Sequence, residues 1–288
     1  MFKHQYKVVI LILCALAAYL AWYTSEDNPT EQSFEKSIGT LLEVAGISQQ
    51  VAQFPGLFKG SVQQNAQQGM IISPAQHQAI LSSIDSSVLP SSILAGLSRE
   101  IEAAISQDEV EGLIAWFQSP LGKKVAKAEQ SAQSNEAYQQ MLKHKKSLLA
   151  NTQRLAFAER LDALLSAVEM TSKIQQNMQI AVNATVLLAL APEQPLDMDE
   201  LLVELQSAGT QINPALEQMV LVSFVYSYQD LSDEELNSYE DFLNQSATKR
   251  FNRLVISAIN TGLENAILKW LEASAVVLAM IEPEEFED

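Results

Sequence analysis

Histidines, cysteines and paired carboxylates are the residues that would give this chain catalysis or a metal, and it holds few of them. The three histidines, His4, His77 and His144, lie far apart in sequence, and none has a second ligand at the helical spacing that zinc sites use. The single cysteine, Cys14, sits inside an N-terminal apolar run, so no intramolecular disulfide and no cysteine-based metal site can form. Leu13 stands where a lipoprotein signal needs a small residue, so lipidation of Cys14 is not expected. Two acidic clusters, Asp108/Glu109/Glu111 and Asp233/Glu234/Glu235, have the composition of acid–base pairs. Each opens a helix, where negative charge answers the free amides and the positive end of the helix dipole. No nucleophile elbow, phosphate-binding loop or dinucleotide turn is present. The expectation is a non-enzyme with no catalytic, cofactor-binding or metal-binding residue. The basic patch Lys143-His144-Lys145-Lys146 reads as a solvated helix face, able to pair with an acidic surface.

The elements that would position such residues are helices. The chain has 288 residues, 48% of them hydrophobic and 18% charged, with only 10 Gly and 9 Pro. That composition belongs to a folded protein rich in good helix formers. Net charge is −17, and its distribution is lopsided. Residues 31–154 carry 11 acids against 10 Lys/Arg, while residues 155–288 carry 22 against 6. An acidic body repels phosphate backbones, so no nucleic-acid partner is expected.

Lys3 and Lys7 precede the apolar run Val8–Tyr23, and Glu26 and Asp27 follow it. Basic before and acidic after orients the body away from the cytoplasm. The apolar run continues past the Ala15-Leu16-Ala17 cleavage pattern, and Trp22-Tyr23 suits a membrane interface, so we expect a retained single-pass anchor with the body in the periplasm. A cleaved signal peptide is the alternative.

Beyond the anchor, apolar residues keep helical spacing from Phe34 through Val51, then over about Leu57–Met70, and then after Ser73-Pro74-Ala75-Gln76. The stretch Ile105–Val125 follows. Ser106-x-x-Glu109 is a capping box, Val110, Leu113, Ile114 and Phe117 form one face, and Ser119-Pro120 stops one helix and starts another. That next helix is expected to run unbroken from about Leu121 to Leu142.

The second half retraces this order. Phe157 with Leu161, Leu164 and Leu165 answers Phe34 with Ile38, Leu41 and Leu42. Ser232-x-x-Glu235 repeats the capping box 126 residues on, with Trp116/Phe242, Lys123/Lys249 and Lys124/Arg250 agreeing in type. Gln245-Ser246-Ala247-Thr248 replaces the Ser-Pro-x-Gly corner, which predicts a softer bend there or nearly continuous helices. The aromatics Trp116, Phe117, Phe242 and Trp270 read as core. A last helix spans about Ser246–Ile281, and Glu284–Asp288 forms an acidic tail.

Asp108-Glu109, Trp116-Phe117, Ser119-Pro120, Gly122 and Lys124 together resemble the exported bacterial helical family called domain of unknown function 2059. The resemblance implies an α-helical envelope domain and brings no reaction, ligand or active site with it.

The expected architecture is all-α: residues 1–27 as anchor or signal, 31–152 and 153–281 as two tandem, duplicated helical bundles, and 282–288 as tail. The expected function is a non-enzymatic, membrane-anchored periplasmic protein that binds or scaffolds other envelope proteins. A helical carrier of an apolar ligand or lipid is the alternative, with helix Ala215–Tyr226 lining its cavity. No cofactor is expected.

Overall fold

A computed structural model describes residues 31–67, 72–191, 194, 196–208 and 212–281. The expected anchor (residues 1–27) and the acidic tail (282–288) lie outside the described residues. Within them the fold is all-α, with no strand.

The first half contains α1 (Glu31–Val44), α2 (Ile47–Ala52), α3 (Phe54–Gln67), α4 (Pro74–Ser87), α5 (Pro90–Ala104), α6 (Gln107–Gln118), α7 (Pro120–Ala132) and α8 (Asn135–Ala150). The second contains α9 (Thr152–Leu165), α10 (Ala167–Leu190), α11 (Met198–Ser207), α12 (Pro214–Ser227), α13 (Asp233–Asn244) and α14 (Ser246–Leu278). The capping boxes at Ser73/Gln76, Ser106/Glu109 and Ser232/Glu235 all form, each hydroxyl and side chain answering the other residue's backbone amide. Two of the three thereby absorb acidic residues that had the composition of a catalytic pair.

The helix expected over Leu121–Leu142 is two helices. Ser134 breaks it, its Oγ accepting from Ala137 N at 3.0 Å as the N-cap of α8. No Gly or Pro marks the break, so the periodicity alone runs across it. The corner at Gln245 corrects a second expectation. It is a full break in extended backbone (φ −63°, ψ 146°), nearly the angles of Ser119 (φ −64°, ψ 163°).

In each half the first helix ends at a left-handed residue, Gly46 (φ 70°) or Ser166 (φ 49°). Glycine takes that conformation freely, while serine does so at a cost. Asp162 offsets that cost, its backbone oxygen accepting from Ser166 N at 2.7 Å and its Oδ1 from Val168 N at 2.8 Å.

In space the two halves of the chain interleave. α14 leaves α13 and packs along α4 and α5 of the first half, while α7 and α8 pack on α12 of the second. Trp270 of α14 is fully buried, stands edge-on to Phe58 at 5.4 Å, and donates from Nε1 to Ile80 O at 3.3 Å. Ser83 and Ser274 share a buried hydroxyl–hydroxyl bond of 3.0 Å, and Lys173 of α10 pairs with buried Glu264 of α14 at 2.9 Å. One hydrophobic core therefore runs through both halves, from Leu41 and Phe54 to Phe251 and Ile267.

Residues 74–104 are long and apolar enough to cross a membrane by composition. The stretch is interrupted at Val88-Leu89, and Ile80, Ile84, Ile93 and Leu97 are spent against the core. Burial against α14 accounts for its hydropathy.

Candidate functional site

Where the halves meet, two ion pairs cross between them. Glu109, in the capping box of α6, pairs with Arg250 of α14, and Glu235, in the capping box of α13, pairs with Lys124 of α7 at 2.6 Å. Glu235 and Arg250 stand 126 residues after Glu109 and Lys124. Both carboxyls are held below the ordinary range: Glu109 first by the Ser106 amide, Glu235 first by the Lys124 ammonium. Between these pairs Trp116 lies flat on Phe242, its own counterpart, with centroids 3.7 Å apart and 2° between planes. Phe117 stands edge-on to Phe242, and Tyr239 stacks on Trp116 at 5.5 Å. The expected core aromatics Trp116, Phe117 and Phe242 are thus one layer across the seam, and Trp116 is its half-buried member.

Beneath this layer lies Glu129. On α7 the buried residues Gly122, Val125, Ala126, Glu129 and Ala132 follow helical spacing, so the carboxyl falls on the apolar face. It is 2% exposed. Its Oε1 accepts from Tyr228 Oη at 2.5 Å and from Tyr239 Oη at 3.3 Å. Its Oε2 is buried and has no hydrogen-bond partner. Burial pushes this carboxyl up to about 8, against the opposing pull of the two tyrosine hydroxyls, so it is protonated at neutral pH.

Glu129 Oε2 is one of three such atoms around one cavity. Thr248 and Asn252 lie one turn apart on α14, and both line it with Glu129. Thr248 Oγ1 and Asn252 Nδ2 are likewise buried without a partner. The cavity is half open, has a volume of about 100 Å³, and its remaining wall is mainly apolar, including Met170, Phe224, Phe242 and Phe251. Unmade hydrogen bonds in an apolar setting each cost roughly 1–3 kcal/mol, so three around one space require an occupant that meets them. A groove of about 430 Å³ between α5 and α14 is larger and shallower, lined by Gly96, Arg99, Thr261 and Gly262 among others. None of the unpartnered buried atoms belongs to its lining.

Of the residues singled out for chemistry, none reaches this cavity. Asp108, Glu111, Asp233 and Glu234 sit at helix starts. His144 and its lysine neighbours form no ion pair among the described residues, so the halves dock through Lys124 and Arg250 instead. His77 is half-buried on α4, its Nε2 without a partner. Among the described residues no three His, Cys, Asp or Glu side chains converge as a metal site would need. Helix α12 contributes Phe224 to the wall, and Tyr228 follows directly after it.

Residues 97–146 match the family described as uncharacterized protein conserved in bacteria (DUF2059). This segment is DUF2059-like. The DUF2059 match runs from within α5 into α8, so it contains Glu129 and the Ser119-Pro120 corner. Tyr228, Tyr239, Thr248 and Asn252 lie beyond it. No curated protein and no solved structure matches the chain.

Proposed function

We propose that the protein is a non-enzymatic, membrane-anchored binding protein of the bacterial envelope, and that the seam cavity holds a small, largely apolar ligand. The observation that carries this reading is the set of unpartnered buried atoms of Glu129, Thr248 and Asn252 in an otherwise apolar, half-open space. Ligand sites in proteins combine apolar walls with a few convergent polar groups in this way. Glu129 is a single carboxyl without a nucleophile or second acid beside it, which favours binding over reaction. The charge pattern around Val8–Tyr23 supports anchoring with the body in the periplasm.

Internal duplication belongs to the same reading. It is supported by the Glu109–Arg250 and Glu235–Lys124 pairs and by the Trp116–Phe242 stack, whose members fall at positions related by an offset of 126.

Native mass spectrometry of the full chain, extracted from its own membranes, tests the function. A bound mass that disappears when Thr248→Phe fills the cavity supports it. Apo protein in repeated preparations, with no uptake of an apolar fluorescent probe, ends it.

A second reading, scaffolding of other envelope proteins, is favoured by the large apolar side chains left in solvent on the acidic second half. Leu187, Leu190, Val203, Val276 and Met280 are each more than half exposed. Crosslinking in intact cells should recover partners through these residues, and recovery of the protein alone counts against it.

A further inference from the structure

We propose that the seam cavity selects an uncharged ligand by a carbonyl-type oxygen, which accepts hydrogen bonds from Glu129, Thr248 and Asn252 while its apolar remainder lies against the phenylalanine wall. This rests on the ligand-binding reading above and names the class of ligand.

The unpartnered atoms point to the class, beside Gln50, whose side-chain amide also lines the cavity and can both donate and accept. Asn252 Nδ2 can only donate, and Thr248 Oγ1 can donate one proton. Glu129 spends Oε1 on two tyrosine hydroxyls, which leaves Oε2 unpartnered on a residue that lines the cavity. Protonated, Oε2 is a third donor. A carbonyl oxygen has no proton and only accepts, two of the three donors engaging its lone pairs at any moment, which suits such a set. Its reach is short, because Thr248 and Asn252 are one turn apart and Glu129 comes from the opposite half.

Charge is excluded on two sides. An anion would need a cationic side chain, and no Lys, Arg or His lines the cavity. Arg250 and Lys124, the basic residues that bridge the seam, are committed to Glu109 and Glu235. An organic cation would find aromatic faces, but it would also meet the Asn252 amide donor. The titratable groups in contact with Glu129 are Tyr228 and Tyr239, and both donate to it.

Size limits the buried part of the ligand. The space of about 100 Å³ is below the roughly 150 Å³ of an engineered cavity that takes benzene, and its open side lets a longer tail leave. A few methylenes beside the carbonyl fit inside, and a ring reaches out through the open side.

The polar set is one-sided. At the positions 126 residues away, Gly122 stands for Thr248, Ala126 for Asn252 and Val255 for Glu129. The related half therefore has no such group at any of the three positions, and the donors are not a by-product of the seam itself.

The test uses four probes built on one six-membered ring: cyclohexanone, cyclohexane, cyclohexanecarboxylate and cyclohexylammonium. Binding to the full chain is read at neutral pH from the Met170 methyl resonance, since Met170 lines the cavity. Cyclohexanone should bind at least about fivefold more tightly than each of the others, the worth of one or two net hydrogen bonds. Thr248→Val, which keeps the shape, should lower cyclohexanone affinity about fivefold and leave cyclohexane unchanged. Equal binding of ketone and hydrocarbon overturns the carbonyl assignment and leaves the apolar-carrier reading standing. Preference for the carboxylate or the ammonium overturns it as well. If no probe moves the Met170 signal, both readings fall. The four-probe ranking is made on the unaltered chain, so it holds even if the Thr248→Val variant misfolds.

Discussion

At Ser119 the chain turns from α6 into α7, and at Gln245 it turns from α13 into α14, with nearly the same backbone angles. The two corners reach that shape by different means. Ser119 accepts from Gly122 N at 3.0 Å and Pro120 opens the next helix, while Gln245 makes no side-chain cap. At Gly122 an added Cβ would lie 2.2 Å from Trp116 O and 2.8 Å from Phe117 O. The corresponding residue in the other corner is Thr248, which lines the cavity. The difference teaches that the backbone of the corner is the shared element and the residue three positions beyond it is free to differ. One corner is closed by packing on a glycine, and the other leaves room for a polar side chain.

The largest expected effect tests the buried carboxyl of Glu129, 126 residues before the apolar Val255. In the unfolded chain the carboxyl titrates near 4.5, and in the folded protein at about 8, so the native state binds the extra proton between those values. Stability contributed by this proton is complete below about pH 4.5 and is lost as pH rises through 8. Glu129→Gln keeps the shape without the titration. It should match the parent near pH 5 and exceed it by about 4 kcal/mol at about pH 9 in denaturant titrations. Parallel pH profiles for the two proteins would show that the carboxyl is not buried.

Next come the corners themselves. Gly122→Ala should cost about 3 kcal/mol, because the clash is with backbone carbonyls that cannot move aside, whereas Thr248→Ala should cost less than about 1 kcal/mol. Equal losses in thermal unfolding would erase the distinction drawn between them. A smaller contrast lies at the left-handed residues. Gly46→Ala should destabilise by about 1–2 kcal/mol and Ser166→Gly should stabilise by up to about 1 kcal/mol, opposite signs at the two left-handed residues. Smallest are the reciprocal ion pairs, which are partly exposed. Double-mutant cycles on Glu109/Arg250 and Lys124/Glu235 should each give a small coupling that fades in salt. A coupling in only one of them would break the reciprocity.

The sequence makes the helices and their starts legible. Ser106-x-x-Glu109, Ser232-x-x-Glu235 and Ser73-Pro74-Ala75-Gln76 each declare a cap through local chemistry, and the structure forms each one. The break at Ser134 escapes because its cap acts without proline, glycine or an acidic partner three residues on. Glu129 escapes because Lys123-Lys124 and Lys127 give its surroundings the composition of a solvated helix. A signal does exist: Glu129 continues the Val125–Ala126–Ala132 face, and a carboxyl on an apolar stripe announces burial. Thr248 and Asn252 give no comparable sign, since their value depends on meeting a helix from the other half. The interleaving itself leaves one trace, the apolar character of α14 on several sides. A helix with Ile259, Leu263, Ile267, Trp270 and Leu271 all buried needs walls on more than one side, and local periodicity cannot say which segments supply them.

The docking of α14 has a consequence in time as well as in space. The groove formed by α4 and α5 is filled by α14, far along the chain, so Ile80, Ile84 and Leu97 reach full burial only when residues 246–278 dock. The first half cannot finish folding on its own schedule. Final closure belongs to contacts of very long sequence separation, which are slow to form and cooperative once made. A chain cut short before Ser246 would carry an open apolar trough between α4 and α5.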